Sequence, residues 1–180
     1  MTKKQVQVLK TPKRNLPQYY KIIALVIIVI AAVYFILVYT GGGQQKNDEE
    51  YMFRKDGELS FADTSGKITA KIDIQIAKTE FDRELGLMYR KNMDESQGML
   101  FIFPDSQVRN FWMRNTLIPL DMLFINDSKI VLNIAKNTTP YSDMSYSSAG
   151  PAKYVLEVNG GFTDRHNITK GAIVSWISTP

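Results

Sequence analysis

The segment Ile68-Thr-Ala-Lys-Ile-Asp-Ile-Gln-Ile-Ala77 decides the fold class. Ile68, Ala70, Ile72, Ile74 and Ile76 alternate with Thr69, Lys71, Asp73, Gln75 and Ala77. Successive side chains of a strand point to opposite faces, so a period of two marks a half-buried β-strand. Strand patterns continue outward on both sides. Towards the N-terminus, Leu59 to Ala62 predicts a short strand and Ser65-Gly66 a turn. Towards the C-terminus, Gly98-Met-Leu-Phe-Ile-Phe103 is a continuous apolar run closed by Pro104 and predicts a buried strand. Val108 to Arg114 predicts a second and Leu120 to Asn126 a third, with Asn126-Asp127-Ser128 as a turn. Lys129 to Lys136 then returns as the antiparallel partner of the third. Residues 137–152 read as a long polar loop, and Lys153 to Asn159 and Ala172 to Ser178 as the last two strands. Gly160-Gly161 opens a short helical turn through Phe162 to Asn167.

One further helix interrupts the strands. Thr79 suits an N-cap, and Glu80 and Asp82 fall in the first turn, where the helix dipole favours acids. The pattern predicts a helix to about Arg90, with Phe81, Leu85 and Met88 on one face and Arg83 and Arg90 on the other. Gly86 inside it costs about 1 kcal/mol against alanine. Close packing on a strand, or a helix that ends early, would account for it. The expectation for residues 58–180 is an α+β domain, mainly antiparallel β: a compact sheet or barrel-like domain with two short helices.

The charge balance locates the rest of the chain. The sequence carries 22 Lys and Arg against 18 Asp and Glu. Residues 1–21 hold six of the cations (Lys3, Lys4, Lys10, Lys13, Arg14, Lys21) and no acid, which leaves 16 against 18, a net of −2, beyond them. A nucleic-acid-binding domain would carry a basic patch on its own fold, so no nucleic-acid partner is expected. The chain has no cysteine, which excludes disulfides, thiol catalysis and cysteine-ligated metal sites.

Ile22 to Tyr39 is free of charge and rich in Ile, Val and Leu. At 1.5 Å per residue it spans about 27 Å, close to the ~30 Å hydrocarbon core of a bilayer. We expect residues 1–21 to be a basic cytoplasmic stub, 22–40 a single-pass transmembrane signal anchor, and 41–57 a flexible linker. The domain would then be periplasmic or otherwise extracytoplasmic. A cleavable signal peptide is the competing reading, but Val38-Tyr39-Thr40-Gly41 matches a cleavage site poorly.

Five segments carry a family resemblance. They are Arg83-Glu-Leu-Gly-Leu-Met-Tyr-Arg90, Gly98 to Phe103, Phe111-Trp-Met-Arg-Asn-Thr-Leu-Ile-Pro-Leu-Asp121, Tyr154-Val-Leu-Glu157 and Gly161 to Gly171. In this order the chain resembles the DUF192 (UPF0127) domain family over most of residues 68–178. The resemblance implies a small β-rich domain, often exported or membrane-tethered, and supplies no catalytic residues. One departure is Ala172, where such proteins often have aspartate after the last glycine.

The chemistry must then come from the residues. Asp121 and Glu157 are candidate catalytic carboxylates, since paired acids about 5–10 Å apart do acid–base work. The competing expectations are that Asp121, with Asn115, braces the strand crossing, and that Glu157 forms a buried ion pair with Arg90 or Arg114. Arg83, Arg90, Arg109 and Arg114 are candidate anion ligands, because a guanidinium fork matches carboxylate and phosphate. Trp112 with Phe111 reads as a sugar-stacking platform or as core. The candidate ligand-binding set is therefore Arg90, Trp112, Arg114, Asn115 and Asp121. No metal and no cofactor are expected, with His166 the only histidine. A Ser–His–Asp relay through Asp164 and His166 lacks a nucleophile elbow. The leading expectation is a binding module for a small polar or saccharide-like envelope ligand; the alternatives are an envelope hydrolase using Asp121 and Glu157, and a structural or assembly partner.

Overall fold

The structure is a computed structural model, and it describes residues 17–40 and 52–179, with the side chains of 37–40 left aside. Residues 1–16 of the predicted basic stub and most of the predicted linker lie outside the described residues, while residues 18–21 of the stub already belong to the first helix. The chain divides into two compact units between Asn47 and Asp48.

The first unit holds helix α1, Gln18–Thr40. Its Gln18–Ile36 stretch has a mean hydropathy of 2.4 and is exposed throughout, so it is long and apolar enough to cross a membrane as an anchor or signal sequence.

The second unit contains β1 (Gly57–Ala62), β2 (Ile68–Ala77), α2 (Glu80–Leu85), β3 (Gln97–Gln107), β4 (Asn110–Phe111), β5 (Leu120–Ile125), β6 (Val131–Ala135), β7 (Tyr146–Ser147), β8 (Ala152–Asn159), α3 (Phe162–Arg165) and β9 (Ile173–Ser178). Seven strands form one sheet in the order β6-β5-β8-β3-β2-β1-β9, and β4 pairs with β7 in a separate ribbon. Every pairing is antiparallel except β2 with β3. That parallel pair follows from α2, which supplies the crossover between them. The edge strands meet only at one corner, through the Ile130–Ile173 bridge and bonds such as Val131 N–H to Ala172 O at 2.9 Å. The sheet therefore curls without closing into a barrel.

Strand alternation divides the core between the two faces. Ile72, Ile74, Ile76, Leu100, Leu123, Leu156 and Val158 pack on one face, with Phe162 of α3 against them. Met99, Phe101, Met122, Phe124 and Val155 pack on the other, beneath Leu87, Met113 and Phe111. In the sheet register Gln75 lies beside Met99, Met99 beside Glu157, and Glu157 beside Met122. This lateral row puts one carboxyl in the middle of the sheet, directly between two thioethers.

Three sequence expectations are corrected. Helix α2 stops at Leu85 instead of continuing to Arg90. A Thr79–Asp82 capping box starts it, and Gly86 ends it at φ 50, ψ −134. Phe81 is consequently exposed, Leu87 is buried, and Arg83 and Arg90 share no helix face. Strand β3 runs past Pro104; its pairing with β8 breaks between Ile102 and Gln107, so the missing proline N–H costs no ladder bond. Of the predicted strand Val108–Arg114, only Asn110–Phe111 pairs, because the Met113 N–H turns away to Ser142 O at 2.9 Å.

Gly86 combines two constraints. Its φ is positive, and a Cβ there would sit 3.2 Å from Phe101 Cζ. Gly86→Ala should cost about 1–3 kcal/mol of stability, read from the loss in melting temperature of the whole chain in detergent by tryptophan fluorescence. An unchanged midpoint would contradict this backbone geometry. Trp112 and Trp176 are the only tryptophans, so the signal reports the β-rich unit alone.

Candidate functional site

A cavity of about 570 Å³ opens beside α2, on the sheet face that carries Met99 and Phe101. Helix α2 and the turn after it supply one wall, with Arg83, Glu84, Gly86 and Met88. Phe101, Phe103 and Asp105 of β3 supply another, and Arg109, Phe111 and Trp112 from the crossing segment a third. Glu157 of β8 is the lining residue from the middle of the sheet. The volume falls in the range of small-molecule sites, roughly 300–1,000 Å³.

The aromatic wall is built edge to face. Phe111 meets Phe101 with ring centres 5.1 Å apart and Phe103 at 6.3 Å, both near perpendicular. Phe103 in turn carries two guanidinium groups, Arg109 at 4.0 Å from its ring centre and Arg83 at 5.2 Å. Both arginines are held by the protein. Arg109 donates to the Asp105 carboxylate, to Asp105 O and to Ala152 O, the last at 3.2 Å. Arg83 donates to Lys78 O and, at 3.2 Å, to Ile102 O.

Glu157 is different. It is 5 % exposed, and no donor among the described residues bonds its carboxyl oxygens. Burial pushes the carboxyl up to about 8, against a smaller pull downward from the Arg90 charge. At pH 7 the group is therefore mostly protonated and neutral. The expected ion pair is absent: neither Arg90 nor Arg114 comes within 4.0 Å of it as a salt-bridge partner. Arg90, also 5 % exposed, instead donates from Nη2 to Gln75 Oε1 at 2.6 Å, and its Nε has no partner. Burial is the main cause lowering the Arg90 pKa, with Arg54 adding to it and Glu157 opposing it. Arg114 lies at the surface, bonded to Asp143 at 2.8 Å and stacked on Trp112 at 4.3 Å.

Asp121 has no part in the cavity. It sits opposite Val158 in the register, one residue off from Met122, which faces Glu157. Alternation therefore puts the two acids on opposite faces of the sheet. Asp121 is fully buried and accepts from Asn137 N–H (2.8 Å), Gly161 N–H (3.0 Å), Thr163 N–H (2.9 Å) and Thr163 Oγ1 (2.6 Å). It ties β5 to the start of α3, where Gly161 adopts φ 78. This corrects the reading of Asp121 and Glu157 as a working pair. Asn115 also braces structure: at φ 56 it completes a turn closed by Thr116 N–H to Met113 O, and its carbonyl accepts Tyr89 N–H at 2.8 Å. Asp164 pairs with Lys136, and His166 stacks on Phe162 at 4.3 Å, so no serine relay forms there.

Of the five expected ligand-binding residues only Trp112 lines the cavity, joined by Glu157 from the catalytic candidates. Phe103, Glu84, Asp105 and Gly86 were missed as site residues. Phe101 and Phe103 share a strand face by their spacing, but nothing in the sequence says that α2 stands off from them.

The Glu157 pKa has a testable sign. An acid whose folded pKa is raised adds stability below its unfolded pKa, near 4.5, and loses it as pH rises through about 8. Between pH 5 and pH 8 the wild-type protein should lose about 2–5 kcal/mol relative to Glu157→Gln, seen as a difference in melting temperature of about ten degrees. Parallel pH profiles for the two proteins would show that Glu157 is not desolvated.

Comparison with known proteins agrees with this architecture. No functionally curated protein matches the chain. A protein from Sinorhizobium meliloti 1021, whose description suggests a transcription regulator, is 34 % identical, with a TM-score of 0.65, covering 67 % of this chain and 93 % of its own. A protein of unknown function from Novosphingobium aromaticivorans DSM 12444 is 37 % identical, with a TM-score of 0.63, covering 66 % of this chain and 84 % of its own. The DUF192 model, described as an uncharacterized ACR, matches residues 61–176, which include the whole cavity, and the chain belongs to that family.

Proposed function

We propose that the β-rich unit is a binding module that takes a small polar or saccharide-like ligand in the cavity beside α2. The observation that carries this reading is the Glu157 carboxyl, which lines the cavity with no bond from any of the described residues. Its oxygens are not sealed in, since Arg90 Nε is the buried side-chain atom left without a partner among the described residues, and a ligand group can reach and bond them from the cavity. The aromatic walls supply the apolar contact that a sugar ring or similar flat body needs. Hydrolysis by Asp121 with Glu157 is not carried forward, since the two face opposite sides of the sheet. The regulator description of the Sinorhizobium protein is not carried over either, because the net charge beyond residue 21 is −2.

Helix α1 supports the placement of this module at a membrane, with the lysine-rich N-terminus in the cytoplasm and the domain in the periplasm or its equivalent. The ligand would then be a component of the cell envelope.

Two measurements check these readings. In a thermal-shift screen of the whole chain in detergent against envelope sugars, amino acids and small anions, at least one class should raise the melting temperature by several degrees. Trp112→Ala should remove most of the shift. No stabilisation by any class would refute the binding module. Separately, a reporter active only outside the cytoplasm should be silent when fused after residue 15 and active after residue 60. The reverse pattern would overturn the orientation.

A further inference from the structure

The same cavity points to the kind of group it receives. Its charged lining consists of Glu80, Glu84, Asp105 and Glu157 against Arg83 and Arg109. The two arginines already donate to carbonyls and to Asp105, whereas Glu80, Glu84 and Glu157 make no ion pair among the described residues. With Asp105 paired to Arg109, three unpaired acids stand against the one unpaired arginine, Arg83, and the lining is net acidic. An anion would meet three unpaired carboxyl groups there; Arg90, with its unpartnered Nε, is absent from the lining and bonds Gln75. The sheet neighbours of Glu157, Met99 and Met122, carry no charge and no strong donor.

We propose that the ligand of this cavity carries an ammonium group, which Glu157 receives as a carboxylate while the ligand's carbon skeleton lies against Phe101, Phe103 and Phe111. This rests on the binding reading above. Phe103 already holds two cations on its ring, which shows that these aromatic faces tolerate positive charge. A charge-assisted bond to a desolvated carboxylate is stronger than a neutral one, and it fills the acceptor that the protein leaves unmet.

The charge acting on Glu157 is Arg90 from the turn after α2, and the other charged groups of the same cavity are Glu80, Arg83 and Glu84 of α2 and Asp105 and Arg109 of the far wall. The empty site holds Glu157 mostly protonated at neutral pH. When the ligand ammonium arrives with its own protons, the Glu157 proton passes to the buffer. One proton leaves per ligand bound, and no covalent bond is made or broken. Affinity should then rise about tenfold per pH unit between pH 6 and pH 7.

The test is titration calorimetry on the whole chain in detergent, with two matched pairs: glucosamine against glucose, and benzylamine against benzyl alcohol. The first pair reports a sugar source for the amine and the second a non-sugar one. In at least one pair the amine should bind tenfold or more tightly than its neutral partner. Runs in two amine-free buffers of different ionisation enthalpy should show release of about one proton at pH 6.5. Glu157→Gln should abolish the preference for the amine. If that variant fails to fold, the wild-type proton count decides alone. Neutral partners that bind equally well, with no proton released, would overturn the ammonium inference and leave the binding module standing. Failure of all four probes, together with an empty thermal-shift screen, would overturn both.

Discussion

Strand β8 is hydrogen-bonded along both edges, to β3 on one side and β5 on the other. Its backbone therefore has no freedom to slide or rotate, and its alternation dictates what each face of the sheet contains. Leu156 and Val158 go to one core, and Val155 and Glu157 to the other. A shift of one residue would bury Glu157 under α3 and open the cavity onto leucine. The cavity's chemistry thus depends on a register that is fixed by backbone pairing far more than by any contact of the carboxyl itself.

The two acids on neighbouring strands show how environment separates like groups. Asp121 accepts four bonds and works as a clasp between β5 and α3. Glu157 accepts none and is held in its neutral form by burial. Both are almost completely inaccessible. Burial alone therefore says little about role; the donor count separates the structural carboxylate Asp121 from Glu157. Arg90 stands between these cases, with one good bond to Gln75 and one orphaned nitrogen.

The positions of most strands were legible in the sequence. The alternation of Ile68 to Ala77 located β2 to the residue, and Lys153 to Asn159 located β8 within one residue. Both signals are local, because side-chain period is written along one strand. What was not legible is lateral. Asp121 and Glu157 could be placed on strands, yet their faces relative to each other depend on register. The shortness of α2 turned on a single glycine whose φ the sequence does not state. The cavity arises because α2 ends early and its continuation swings over to meet the crossing segment, with Tyr89 bonding Asn115. Arg90 was displaced by that turn from the face that helical spacing assigned to it.

The placement of β9 has a consequence for how the chain reaches this state. The last strand pairs with β1, the first, so Gly57 lies beside Ser178. The domain cannot complete its sheet until Ser178 has been synthesised. Until then β1 offers a naked edge with Leu59 and Phe61 uncovered, and the corner joining Ile130 to Ile173 has no second half. Such long sequence separation slows folding and leaves aggregation-prone intermediates. A chain cut off before β9 would hold every cavity residue and still leave the sheet unsealed.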